Sequence, residues 1–389
     1  MEKIIYADHS ATTYVKKEVL EEMLPYFTQE YGNASSQYKL GGTAKSALEN
    51  SRTKIAHIIG AHSDEIYFTS GGSESDNLII RGIAHALKHK GRHIITSKIE
   101  HLAVLNTCKD LEDEGFCITY LEPDERGFVS CDKVYNAIRP DTILISIMFA
   151  NNEIGTIQDV LQISKIARSH GIFFHTDAVQ AIGTIPINVE LMGIDALSMS
   201  AHKFYGPKGI GVAYIKRNVP FKPYLTGGHQ EKNKRAGTEN IPAIVGMAKA
   251  LELANANLKQ YTNKLLELRE HTIFRILNEI PEAKLNGDRL HRLPGNVNVS
   301  FKGIDAKGLV LMLDMKNIAV SSGSACTAGQ SSPSHVLKAI GLDDNTARNS
   351  IRITYGECNS IEDADHIINN IKEIIKIIKH WQTWYNICE

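Results

Sequence analysis

The sequence predicts an α/β protein: a large domain with a mainly parallel sheet flanked by helices, and a smaller α+β domain. Three observations carry this prediction. Short apolar runs alternate with longer amphipathic stretches over roughly the first 250 residues, the pattern of strand–helix units whose sheet is covered on both faces. The apolar runs close on polar residues. Beyond about residue 250 the texture changes to long helical stretches and an alternating strand. A chain of 389 residues is also too long for one typical core. The reading is a large domain at 15–255, with 1–14 and 256–389 forming the small one.

Taken in order, EIYFTS (65–70), HIITS (93–97), TILISIMFA (142–150), IFFHTDA (172–178), DALSMSAHK (195–203) and GVAYIK (211–216) read as buried strands. Between them LAVLNTCKDLEDEG (102–115) and VLQISKIARSHG (160–171) have helical spacing and stop at glycine. Residues 254–280 read as one long helix bridging to the second domain, and NVNVSF (296–301) alternates like an antiparallel strand. SIEDADHIINNIKEIIKIIKHW (360–381) is an amphipathic helix with Ser360 and Asp363 placed as a capping box.

Composition narrows the function classes. A hydrophobic fraction of 43%, a charged fraction of 22% and a net charge of -1 describe a globular protein. They give no electrostatic reason to expect direct contact with nucleic acid or an anionic membrane. TILISIMFA is far shorter than the roughly 20 residues a bilayer needs, and MEKIIYADHSATT lacks the pattern of a secretory leader. Six cysteines are scattered without CxxC pairs, which points away from a zinc or other metal site and from a disulfide framework. The expectation is a cytoplasmic protein with reduced thiols.

In open α/β sheets ligands bind beyond the carboxyl ends of the strands, so the polar residues there matter most. FTSGGSESDNLII (68–80) is a strand, a Gly-rich turn and a helix start, offering backbone N–H groups near Gly72, Ser73 and Glu74 to an anion such as phosphate. By itself it also reads as a plain β–α turn with Ser73 as N-cap. HTDAVQAIG (175–183) sets Asp177 and Gln180 after a strand, where a carboxylate can pair with a cationic ring nitrogen, hold a metal, or cap a helix. SMSAHKFYGPKGIG (198–211) puts Ser200, His202 and Lys203 at another strand end; burial there favours a neutral amine able to form a Schiff base. The glycines of GPKGIG are wrongly spaced for a dinucleotide site. A phosphate cradle, an acid for a ring nitrogen and an imine-forming lysine are together what pyridoxal phosphate chemistry requires.

Ten blocks, in order, extend this to the whole chain: YADHSATT (6–13), YGNASSQYKLGG (31–42), FTSGGSESDN, IEHLAV (99–104), NNEIGTIQ (151–158), HTDAVQAIG, SAHKFYGPKGIG, RAGTENI (235–241), SSGSACTAG (321–329) and IRITYG (351–356). With these the chain resembles the class V aminotransferase-like cysteine desulfurases of the NifS/IscS type, which have the fold of the fold-type I pyridoxal phosphate transferases.

The resemblance implies roles position by position. Lys203 would bond the cofactor and shuttle the substrate α-proton, Asp177 would pair with the ring nitrogen, and Gln180 would hydrogen-bond the phenolic oxygen. His101 would lie over the ring as a catalytic partner, with Gly72, Ser73, Ser200 and His202 on the phosphate. Thr238 would reach the phosphate of a neighbouring subunit, which implies a homodimer. Asn33, Asn152 and Arg352 would hold the L-cysteine substrate, Arg352 taking its carboxylate in a bidentate fork. Cys326, seven residues before Pro333 in the loop at 321–334, would take the sulfur as a persulfide and pass it to an acceptor protein for iron–sulfur cluster assembly or thiolation. The Ser/Gly-rich composition around it suits a flexible arm. The chain departs from the family pattern at His9, Ser10, Tyr14, Ala34, Tyr38, Ser73, Ser332 and Glu357, none of which removes a catalytic group. The competing expectations are a selenocysteine lyase or small-substrate aminotransferase of the same fold, and a non-catalytic sulfur-relay partner.

Overall fold

The computed structural model describes residues 4–322 and 333–388. After β1 (Ile5–Tyr6) come α1 (Lys17–Met23), α2 (Pro25–Thr28) and α3 (Lys39–Ile59). The chain then alternates through β2 (Ile66–Thr69), α4 (Gly72–Leu87), β3 (His93–Ser97), α5 (Leu102–Asp113), β4 (Cys117–Leu121), α6 (Cys131–Ala137), β5 (Thr142–Ser146), α7 (Val160–Ser169), β6 (Phe173–Asp177), β7 (Ala196–Ser200) and β8 (Gly211–Ile215). These strands form a seven-stranded sheet in the order β2-β8-β7-β6-β5-β3-β4. Only β8 runs against its neighbours; the remaining pairs are parallel.

Both faces of this sheet are covered, and the two-residue period of a strand shows how. Val212 and Tyr214 of β8 point into a core with α1, α3 and α7, whereas Ala213 and Ile215 point into a second core with α4 and α5. The six strands expected here from their apolar runs all form. TILISIMFA leaves the ladder at Ser146, after which Ile147 and Phe149 N–H still bond to the carbonyls of His175 and Asp177. The GPKGIG turn opens into β8 and not into a helix. Strand β4 at the sheet edge carries no clear apolar signal because three of its five residues are half-buried.

The expected helix over 254–280 is interrupted. Residues 254–256 finish α8 (Ile241–Ala256), Asn257 breaks the geometry at φ −104° and ψ 6°, and α9 (Leu258–Glu279) starts afresh. The Asn257 side-chain amide donates to the Leu253 carbonyl, a local bond that competes with helix continuation.

The rest of the chain is β9 (Ala283–Leu285), β10 (Asn296–Phe301), α10 (Ala306–Asp314), β11 (Ile318–Ala319), β12 (Ser321–Ser322), α11 (His335–Ala339), α12 (Asp344–Arg348), β13 (Ser350–Thr354) and α13 (Ile361–Cys388). An antiparallel sheet in the order β12-β13-β10-β9 packs on α9, α10 and α13 around Phe301, Val297, Ile351 and Ile371. The Ser360–Asp363 capping box forms in both directions, at 3.1 and 3.2 Å. Among the described residues, no helix is long and apolar enough to cross a membrane.

Two features bring this part against the first sheet. The N-terminal residues cross over: β1 pairs with β11, Ala7 enters the core of the antiparallel sheet, and Asp8 bridges to Thr354. The polar face of β10 is buried, contrary to simple alternation. Asn296 and Asn298 both donate to the Glu153 carbonyl at 3.1 Å, so polar residues on this strand hold the turn after β5.

Candidate active site

The carboxyl ends of β2, β5, β6 and β7 and the turn after β3 surround a cavity of about 280 Å³. Gly72, Ser73, His101, Asn152, Asp177, Gln180, Ser200, His202, Lys203 and Arg352 all line it. Ten residues expected from the sequence to form a site are thus brought together from six separate stretches of chain.

Helix α4 begins at this cavity with an exposed N-terminus. Its N-cap is Gly71, at φ 155° and with no side-chain cap, so Ser73 is not the cap its position suggested. Close packing explains the second glycine: a Cβ on Gly72 would meet Val179 Cγ2 at 2.7 Å. The acid of the first turn, Glu74, is turned onto Arg235 at 2.7 Å and onto the Ser70 N–H. The uncapped N–H groups and the helix dipole are left for an anion.

Lys203 follows β7 on a single 3₁₀ turn. Its Nζ donates to the carbonyls of Ser10 and, at 2.9 Å, Ala11. Gln180 donates to the same Ser10 carbonyl at 3.0 Å. His202 meets Thr12 Oγ1 at 3.1 Å, and its carbonyl accepts from Thr13. The N-terminal stretch from Asp8 to Thr13 therefore runs along the site and touches four of its expected residues. Burial, and then the charges of Lys203 and Lys208, bring His202 down to about 4, so it serves as a neutral hydrogen-bonding ring.

Asp177 closes β6 with its carboxyl buried. Desolvation raises its pKa, while His101, the Val179 N–H and Lys203 pull it down. A buried carboxylate in this setting favours a cation beside it. Behind it lie groups the sequence reading missed. Asp76, one turn into α4, is fully buried and held well above the usual carboxylate range by burial and then by Asp177. Its Oδ1 stands 3.7 Å from His175 Nε2. Burial brings His175 down to about 3, with Ser146 and Ser198 hydroxyls on its two nitrogens. Glu100 is pushed up to about 8 by burial. These residues look like ordinary helix and strand positions in the sequence; only their depth gives them away.

Arg352, on β13, donates through Nη1 to the Asn152 carbonyl at 3.0 Å and through Nη2 to Asp8 Oδ1 at 2.7 Å. Next to Asn152, Glu153 accepts from the Ser334 hydroxyl. Burial pushes Glu153 up to about 7. The folded chain therefore holds that proton more tightly than the unfolded chain, and stability falls as pH rises from about 4.5 to about 7. Glu153→Gln keeps the acceptor and removes the titration. Its unfolding free energy, compared with wild type by denaturant titration at intervals from pH 5 to pH 7.5, is expected to gain progressively, by an amount on the order of 1–3 kcal/mol. A constant difference across that range would refute this.

Two expected residues lie outside the cavity of this chain. Asn33 is exposed and bonds the Ser35 N–H at 2.8 Å, and Thr238 is exposed. Cys326 and Ser332 lie outside the described residues. The ends of the segment that carries them are in place: Ser321 pairs with Arg352, and Ser334 holds Glu153. The departures at His9, Tyr14 and Glu357 sit away from the cavity lining. His9 packs against Gly356, where a Cβ would meet its ring at 2.3 Å; Tyr14 touches Cys358 at 3.2 Å, and Glu357 pairs with Lys16 at 2.6 Å.

The chain matches the family model "Aminotransferase class-V" over residues 5–367. It is 52% identical over 378 residues to the "Cysteine desulfurase IscS" of Methanosarcina thermophila, covering 97% of this chain and 93% of that protein. Among solved structures, a "NIFS-LIKE PROTEIN" superposes with a TM-score of 0.91 at 38% identity, over 96% of this chain and 100% of the other. A second, titled "SspA in complex with cysteine", gives a TM-score of 0.81 at 40% identity, over 90% and 99%.

Proposed function

From a chain that belongs to the class V aminotransferase family, in its cysteine desulfurase branch, we propose the following activity. The protein removes sulfur from L-cysteine with pyridoxal 5'-phosphate, releases L-alanine, and carries the sulfur as a persulfide on Cys326. The observation that carries this reading is the meeting of Lys203, Asp177 and the uncapped start of α4 in one cavity of about 280 Å³.

The residues fit the cofactor. Gly72 and Ser73 offer N–H groups to its phosphate, with Ser200 and His202 beside them, and Asp177 is a buried carboxyl suited to a cationic ring nitrogen. When bound, pyridoxal phosphate supplies an aldehyde for an amine and a ring that withdraws electrons from the substrate α-carbon. Lys203 provides the amine and moves the α-proton. Gln180 would hold the cofactor's phenolic oxygen, and His101, also on the cavity wall, would serve as the catalytic partner beside the ring. Arg352 and Asn152 hold the substrate carboxylate.

Cys326 attacks as the thiolate: a sulfur–sulfur bond forms, the carbon–sulfur bond breaks, and the carbon takes a proton to become alanine. The tether supports the assignment. Cys326 is five residues from Ser321, whose partner is Arg352, so it reaches up to about 17 Å from that anchor. That length suffices to serve the cavity and an acceptor protein. A homodimer is part of the reading, in which the exposed Thr238, off this chain's cavity, serves the phosphate of a second copy. Iron–sulfur cluster assembly or thiolation would consume the sulfur. Free Cys108, Cys117, Cys131 and Cys358 suit a reducing cytoplasm.

The holoenzyme with L-cysteine and dithiothreitol is expected to release L-alanine and sulfide in equal amounts. Pyruvate and ammonia in place of alanine, or amino transfer to a keto acid without sulfide, would overturn the proposal. Turnover of L-selenocysteine with none of L-cysteine would move it to a selenocysteine lyase.

A further inference from the structure

The guanidinium of Arg352 is buried, and its Nε is closed off without a hydrogen-bond partner among the described residues. Of its five N–H groups, one Nη1 hydrogen serves the Asn152 carbonyl and one Nη2 hydrogen serves Asp8 Oδ1 at 2.7 Å. The contact with Asp8 is through a single carboxylate oxygen, not a two-pronged fork. Asp8 balances the charge without saturating the donors.

The backbone of Asp8 is fixed independently of that ion pair. Its residue bridges to Thr354 of β13, and its carbonyl accepts from the Tyr6 hydroxyl at 3.0 Å. Two and three residues on, the Ser10 and Ala11 carbonyls hold Lys203. The same short segment thus presents a carboxylate to Arg352 and acceptors to the reactive lysine.

We propose that Asp8 is a placeholder for the substrate carboxylate on Arg352, a positioning residue that neutralises the guanidinium in the empty site and sets how weakly carboxylates bind there. This rests on the reading that Arg352 receives the substrate carboxylate. A buried guanidinium without a counter-ion is unfavourable, and Asp8 removes that penalty before substrate arrives. Once an α-carboxylate enters, two negative groups share one cation, and their repulsion at partly buried separations is appreciable. Affinity is held down for the substrate and equally for the alanine product, which carries the same carboxylate and must leave.

Asp8→Asn tests this, because the amide oxygen still accepts from Nη2 while the charge is gone. Titration of the holoenzyme with L-alanine, followed by cofactor absorption, is expected to show about five-fold tighter binding in D8N. Cysteamine, which lacks the carboxylate, is expected to bind D8N and wild type alike. In steady state KM for L-cysteine falls while kcat does not rise. Asp8→Glu restores the wild-type affinity, and Asp8→Ser serves as the uncharged variant if D8N folds poorly. Unchanged or weaker L-alanine binding in D8N, or an equal shift for cysteamine, overturns the proposal. Arg352→Gln separates the two claims. If it leaves L-alanine affinity intact, the parent reading of Arg352 fails whatever Asp8 does; if it weakens L-alanine alone, that reading stands and the D8N result decides Asp8.

Discussion

Lys203→Ala is expected to abolish alanine and sulfide formation from L-cysteine, a loss of about 10⁴-fold or more, since one residue supplies both covalent attachment and general acid–base catalysis. Among the described residues lining the cavity, Lys203 is the only lysine. The other cation there, Arg352, is occupied by Asp8 and the Asn152 carbonyl. Alanine at 203 leaves the Ser10 and Ala11 carbonyls without this donor, but it does not alter the α4 N-terminus, Ser200 or Asp177. The variant should therefore still bind pyridoxal phosphate, with the absorption of the free aldehyde. Alanine and sulfide assays on the reconstituted variant check the first point and its spectrum the second. Residual turnover above about one part in a thousand would remove Lys203 from the reaction.

The second large effect is expected at Cys326. Cys326→Ala should reduce sulfide release by about 10³-fold or more while L-cysteine still perturbs the cofactor spectrum with near wild-type affinity. The other described thiols cannot take over. Cys108, on α5, is buried in the core, where burial pushes it up to about 12. Cys131 is half-buried and also raised by burial. Cys117, on the edge strand β4, is bonded by Arg139 at 3.0 Å, and Cys358 faces Tyr14. None of the four lines the cavity. Spectral titration separates binding from transfer, and sulfide production at the wild-type rate would end the persulfide assignment.

The site was legible to the degree that its residues end strands. Asp177, Ser200 and Lys203 each follow a short apolar run, and a run buried on both faces of a parallel sheet announces itself without knowledge of its neighbours. Gly72 and Ser73 were legible for the same reason, as the turn between a strand and a helix. Asp8, Asp76, Glu100 and Glu153 were not. A carboxylate in a helix or a loop reads as a solvated residue; what makes Asp76, Glu100 and Glu153 unusual is the depth at which each is held, and what makes Asp8 unusual is its pairing with a buried guanidinium. Their partners are far off in sequence: Arg352 for Asp8, His175 for Asp76, the Met148 N–H for Glu100 and Ser334 for Glu153.

Local periodicity and strand-end chemistry, both properties of neighbouring residues, were enough to give the α/β class, the alternation of strands and helices, and the lysine–aspartate–glycine set of the proposed cofactor site. The tertiary structure alone decided two things. It buried the polar face of β10 against Glu153, and drew residues 8–13 across the cavity so that Asp8 meets Arg352 and two carbonyls meet Lys203. Each depends on contacts between segments 143 to 344 residues apart. Burial and charge pairing across such distances arise only when the chain closes on itself, so no local window of sequence contains them.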